Sequence, residues 1–382
     1  MSTVETPAVE VDGAEARVLL TTFDLSALSP PSGTTYLSLT ADFPLDQYET
    51  VLTSFSLPSF LPPSIDSLHL SLFTYGYPVG FLSALIRLLP NLRYLSAFTQ
   101  LIAGTTAESF HDASTFLRTL LESGLEELVL FDVFVPPDFF PSLVGEKEWT
   151  LKKLQLLYTF RSQDQEFNSR LPTGSMAALM REGLTNIMVK IVAENEENKG
   201  FKPCAEETSR GVVERLMAWS DEKAKDVKRL SLCAFSLTGE VVDRLAKKFG
   251  NVEDVSWAVA VDGASGVKKG FMDSLGEKTR NLTIVVDPGM GFFVELMNNK
   301  DTALNTVLWN REDIEAVSKL RPGLKTVNTS ILRDHQLGFS EWVKNDDGWS
   351  CRQGEGADLT DKEKAAISKR EQTEGGRIEE VA

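Results

Sequence analysis

Residues 81–97 read Phe81-Leu-Ser-Ala-Leu85-Ile-Arg-Leu88-Leu89-Pro90-Asn91-Leu92-Arg93-Tyr94-Leu95-Ser96-Ala97. The period of this stretch changes partway along. Phe81, Leu85, Leu88 and Leu89 recur at helical spacing, and Pro90 then helps to stop the helix, because it lacks a backbone donor and crowds the preceding turn. Leu92, Leu95 and Ala97 follow at offsets of three and two. Their last part alternates as a strand does, with successive side chains sent to opposite faces. The stretch reads as a helix that runs directly into a short strand.

The same apolar phrase, LxxLxL with substitutions, recurs at 65–70, 92–97, 125–130, 151–156, 184–189, 227–232, 252–257, 279–284, 304–309 and, shortened, 324–327. Start-to-start spacings are 27, 33, 26, 33, 43, 25, 27, 25 and 20. Helices are expected between the strands near 107–122, 175–182, 206–219, 238–250, 266–275 and 311–320. The one at 238–250 has Thr238 at its N-cap position, Lys247 and Lys248 in its last turn and Gly250 just beyond, so its start and stop signals agree with its period. Neither a single short strand nor a single helix buries an apolar face alone. Stacked neighbours share one continuous core, and that is the physical sense of a repeat of this length.

On these segments, over roughly residues 34–332, the chain resembles the leucine-rich-repeat proteins, in particular the irregular kind found in fungal F-box and leucine-rich-repeat proteins. The resemblance implies an α/β solenoid, with a curved parallel sheet on the concave side and helices on the convex side, and it implies binding to a protein or peptide. The Asn or Cys that the regular repeat carries after its third apolar position is absent; those places hold Phe73, Gln100, Val133, Thr159, Val192 and Phe235. Prolines 30, 31, 44, 58, 62 and 63 break up residues 24–63, where an F-box would need three helices. A ubiquitin-ligase adaptor role is therefore not carried over. The expected organisation is a disordered N-terminus at 1–16, a cap and irregular first repeat at 17–63, and the solenoid at 64–344. Insertions are expected near 161–172 and 193–207, and a charged, disordered tail at 345–382. Trp342 and Trp349 are expected to pin the segment before the tail.

The chain has 382 residues, 42 % of them hydrophobic and 25 % charged, with a formal net charge of −16. That balance excludes a broadly disordered chain and disfavours phosphate-backbone binding, which needs clustered Lys and Arg. Residues 1–146 hold no Lys, four Arg and 17 acidic groups. No secretory leader, membrane span or membrane partner is expected. Cys204, Cys233 and Cys351 are too scattered for a disulfide framework, in keeping with a cytoplasmic or nuclear chain. The three His form no metal-ligand spacing, so neither a metal nor a catalytic group is expected.

One enzyme-like feature stands apart. Asp287-Pro-Gly289-Met-Gly291 joins a strand to a helix and resembles the cofactor turn of S-adenosylmethionine-dependent methyltransferases, in which glycines let the backbone approach the ligand. The binding reading uses other residues. In LxxLxL the apolar positions enter the core, and the third, fifth and seventh positions point to the opposite face of the sheet. The seventh positions form the column Ser71, Phe98, Phe131, Leu157, Lys190, Cys233, Ala258 and Val285. Tyr94, Phe98, Val129, Phe131 and Leu157 should then make an apolar patch on adjacent strands. Either a partner occupies this patch, or a loop or the N-terminal segment covers it.

Overall fold

The computed structural model describes residues 8–41, 43, 47–72, 76–145, 147–160, 166–193, 203–262, 268, 275–332 and 336–355. The fold is α/β. Among the described residues fourteen strands are ordered in the sheet as they are in the chain, and most pairs are parallel. The chain divides into two compact units, the first comprising Met1–Thr159, Glu166–Met188 and Glu214–Trp219, and the second Phe160–Gln165, Val189–Val213 and Ser220–Ala382.

In the first unit, β1 (Ala8–Asp12) and β2 (Glu15–Leu20) form an antiparallel hairpin. The parallel series β3 (Tyr36–Ala41), β4 (Ser67–Ser71), β5 (Tyr94–Phe98), β6 (Glu127–Phe131) and β7 (Lys153–Phe160) follows. The strands enter the sheet in one repeated way. The Thr35 carbonyl accepts from the N–H groups of both Asp66 and Ser67, Asp66 from Arg93 and Tyr94, Arg93 from Glu126 and Glu127, and Glu126 from Lys152 and Lys153. This forked bond fixes each strand's register against the last. Leu68, Leu95, Leu128 and Leu154 then fall opposite one another, all fully buried. Burying each Leu side chain is worth roughly 2 kcal/mol at ~25 cal/mol per Å².

Between the strands lie α1 (Tyr48–Val51), α2 (Phe81–Ile86), α3 (Ala107–Ser123) and α4 (Phe139–Ser142). In α3, Ala113, Phe116, Leu117, Leu120 and Leu121 are buried at helical spacing, and Thr106 and Ser109 close a reciprocal cap at its start. Gly80 precedes α2 and has no side chain with which to cap it. Asp112 of α3 supplies the acceptor instead, taking the N–H groups of Gly80, Leu82 and Ser83 at 3.0, 3.3 and 3.1 Å. The second half of this unit adds the short α5 (Phe167–Arg170) and α6 (Thr173–Met176) before β8 (Asn186–Ala193).

α7 (Glu206–Met217) is divided between the two units, and the second unit goes on with α8 (Asp221–Ala224), β9 (Arg229–Leu237), α9 (Gly239–Lys248), β10 (Asp254–Val261) and β11 (Asn281–Pro288). Then come α10 (Met290–Asn298), α11 (Lys300–Val307), α12 (Arg311–Leu320) and β12 (Thr326–Leu332). The forked entry bond recurs here: the Lys228 carbonyl accepts from Glu253 and Asp254, Glu253 from Arg280 and Asn281, and Arg280 from Lys325 and Thr326. The unit ends in the antiparallel strands β13 (Gln336–Asn345) and β14 (Gly348–Glu355).

Several expectations are corrected. Residues 304–309, read as a strand, lie mostly in α11, where Ala303, Leu304 and Val307 are buried at helical spacing and Asn299 caps the start by accepting from Thr302 N–H. β11 therefore pairs directly with β12. Residues 8–12 and 348–355, read as disordered, form β1 and β14. Each is half of a hairpin closed at a glycine with positive φ, Gly13 in one case and Gly348 in the other. The ordered pairing of Cys233 with Ala258 is also wrong. β9 carries a bulge after Ser231, so that Ser236 and not Cys233 lies opposite Ala258. Cys204 bridges to Phe235 at this bulge. Phe167 and Leu171, inside the expected insertion at 161–172, are buried, whereas 161–165 and 194–202 lie outside the described residues. The helix expected near 266–275 falls there for the most part as well. Trp342 and Trp349 do anchor the C-terminal strands, donating to the Trp309 carbonyl at 2.9 Å and to Ser318 Oγ at 3.3 Å.

Candidate functional site

The outward face of β3 to β7 is built by alternation. Three columns run across the strands, and the observed partners define them. The first is Tyr36, Ser67, Tyr94, Glu127 and Lys153; the second is Ser38, His69, Ser96, Val129 and Gln155; the third is Thr40, Ser71, Phe98, Phe131 and Leu157. Adjacent strands stand ~4.8 Å apart, so neighbours in a column are in side-chain reach. Tyr94, Phe98, Phe131 and Leu157 are all half-buried, and the last three form one continuous apolar row. Val129 differs. It is only 3 % exposed, and it belongs to the floor between the rows and not to a free surface.

The polar groups on this face are bound to one another. Glu127 accepts from Lys153 Nζ at 2.8 Å and from Gln155 Nε2 at 3.1 Å. His69 Nδ1 lies 3.0 Å from Ser96 Oγ, and burial holds the imidazole below its ordinary pKa of 6.5. On the bordering positions, one residue before each strand, Asp66, Arg93, Glu126 and Lys152 alternate in sign, and Arg93 Nη1 meets Glu126 Oε1 at 2.9 Å.

At the end of β6 the chain turns on Asp132, the one non-glycine residue with positive φ among the described residues, at 48°. Its buried carboxylate accepts the Thr159 N–H at 2.5 Å, and its own N–H donates to the Leu157 carbonyl at 2.8 Å. The side chain thus extends the β6–β7 pairing past Phe131 and fixes where the apolar row ends. An acceptor sought three residues after Leu130 would be at Val133. The signal was present at Asp132, two residues after it.

The glycine turn at 287–291 has a comparable cause. Asp262 follows β10, and its Oδ1 accepts the Gly291 N–H at 2.7 Å. A Cβ at either Gly289 or Gly291 would stand 2.8 Å from that oxygen. The two glycines make room for a neighbouring carboxylate at the start of α10, where backbone donors and the helix dipole favour negative charge. The thiols of Cys204 and Cys233 are buried, and burial raises both, Cys204 to about 12. Among the described residues no group of three or more His, Cys, Asp or Glu is placed to hold a metal, and no helix is long and apolar enough to cross a membrane. No family model matches the chain, and no curated protein matches it either.

Proposed function

We propose that the chain is a non-enzymatic protein-interaction scaffold, a leucine-rich-repeat-like solenoid in the cytoplasm or nucleus that binds a protein or peptide partner on its concave sheet face. The observation that carries this reading is the row Phe98, Phe131 and Leu157, in register on three successive strands and half-buried, with Tyr94 beside it. Aromatic anchors in a shallow apolar row are typical of interface hot spots. The recurring forked entry bond supports the repeat, because each strand is docked on its predecessor by the same device.

The competing assignment, a methyltransferase-like site at Asp287–Gly291, has less support, since the carboxylate of Asp262 accounts for both glycines. The decisive comparison is between the wild-type chain and Phe98→Ser/Phe131→Ser. Partners captured by the wild type should be lost from the variant while its thermal midpoint stays nearly unchanged. A variant that unfolds would mean that the rings belong to a covered part of the core. Calorimetry with S-adenosylmethionine should show no heat of binding.

A further inference from the structure

The first 146 residues hold 17 acidic groups against four Arg, so composition alone suggests a basic partner for this half of the chain. The face itself is different. Outward from β3 to β7 it carries one anion, Glu127, and one strong cation, Lys153, and these are paired with each other at 2.8 Å. The border adds Asp66, Arg93, Glu126 and Lys152, which alternate in sign. His69 is the remaining ionisable group of the second column, and its lowered pKa keeps it neutral at physiological pH. The face is therefore neutral within a strongly acidic part of the chain, since residues 1–160, which include all of β3 to β7, hold 18 acidic against seven basic groups.

From this we infer that the partner presents an uncharged, apolar segment to the row Phe98, Phe131 and Leu157, and that the contact depends little on ionic strength. The inference rests on the reading of this face as the binding site. On the outward columns the carboxylate of Glu127 and the ammonium of Lys153 are already paired with each other, so a basic or an acidic segment would be desolvated against apolar rings at a cost. The chain's own C-terminal segment is disfavoured as the occupant for the same reason. Residues 356–382 carry seven acidic and five basic groups, which a neutral apolar row does not complement.

A phage-displayed library of random peptides, panned on the full chain and counter-screened on Phe98→Ser/Phe131→Ser, tests this. The expected peptides are uncharged and rich in apolar residues, and they bind wild type at least ~10-fold more tightly than the variant, the loss of one to two hot-spot contacts. Raising the salt from ~0.1 to ~1 M shortens the screening length from ~10 to ~3 Å, so the affinity of a neutral contact should change less than about twofold. Peptides that require both rings but are basic or acidic and lose affinity with salt would overturn the inference while leaving the binding face intact. If no peptides are recovered, or the peptides are indifferent to the two rings, the binding face and the inference fail together. Circular dichroism and the thermal midpoint of the variant establish that it is folded for the counter-screen.

Discussion

At the scale of single residues, alternation assigns opposite fates to neighbours in the chain. Leu128 and Leu154 are fully buried on β6 and β7, so Leu→Ala at either position should cost about 2 to 5 kcal/mol in urea unfolding, the transfer term plus the cavity left behind. Glu126 and Lys152 border the same strands and are exposed, so their Ala variants should stay within roughly 0.5 kcal/mol of wild type. Equal losses at all four would contradict the register. Asp112 is a different case, being a buried carboxylate whose role lies outside its own helix. Asp112→Ala should destabilise by about 1 to 3 kcal/mol, because three backbone donors at the start of α2 lose their acceptor. Asp112→Asn, which keeps one acceptor oxygen, should cost less, and the same unfolding experiment checks both. His69 makes stability depend on pH. Its folded-state pKa lies below 6.5, so below that pH the unfolded chain binds more protons than the folded one. Stability should therefore fall as pH drops through 6.5, and the loss should stop growing below the folded-state pKa. Removing the ring with His69→Gln should flatten this part of the pH profile, and an imidazole titration by NMR should give a midpoint below 6.5. A midpoint above it would remove the physical basis of the claim.

At the scale of elements, the carboxylates that join one strand end to the next are the part of the structure that composition and period do not announce. Gly291→Ala should push Asp262 away from its hydrogen bond, at a cost on the order of 1 kcal/mol. In an Asp262→Ala background the same change should cost clearly less, since the crowding oxygen is gone; a double-mutant cycle with no coupling would reject the contact. The strands were legible because burial on one face enforces a two-residue alternation, as in β7, where Leu154 and Leu156 are buried and Lys153, Gln155 and Leu157 are not. Helix α3 was legible because its buried residues and its cap agree. α11 was misread because Leu304, Val307 and Trp309 satisfy the strand phrase by spacing, whereas the Asn299 cap and the helical burial of Ala303 decide otherwise. β1 and β14 were missed because β1 lies in an acidic stretch and β14 in a glycine-bearing, charged one, compositions that resemble disordered ends; only the antiparallel partner makes them strands. Of the candidate site, the register of Tyr94, Phe98, Phe131 and Leu157 could be read from the repeat. The burial of Val129 could not, because it depends on the side chains flanking it in three columns. Nor could the bulge in β9, which places Ser236 where Cys233 was expected, since nothing in the local period marks it.

At the scale of the whole molecule, the order of the strands has an energetic consequence. Each of β4, β5, β6, β10 and β11 pairs with the strand before it and the strand after it in the chain, so the contacts that stabilise it are local along the sheet. In such an array stability is close to a sum of nearest-neighbour terms, and a defect weakens its surroundings more than distant strands. Leu282 is fully buried at the centre of β11, which pairs with β10 on one side and β12 on the other. Leu282→Ala should lower native-state hydrogen-exchange protection most in β10, β11 and β12, by up to the ~2 to 5 kcal/mol of the buried truncation. Amides of β3, β4 and β5 should keep nearly their wild-type protection. The converse experiment, Leu95→Ala in β5, should reverse the pattern, with the loss centred on β4 to β6 and β11 spared. A uniform loss of protection in both variants would mean that the chain unfolds as a single cooperative body. The nearest-neighbour account of its stability would then be wrong, and with it the main energetic support for a repeat array.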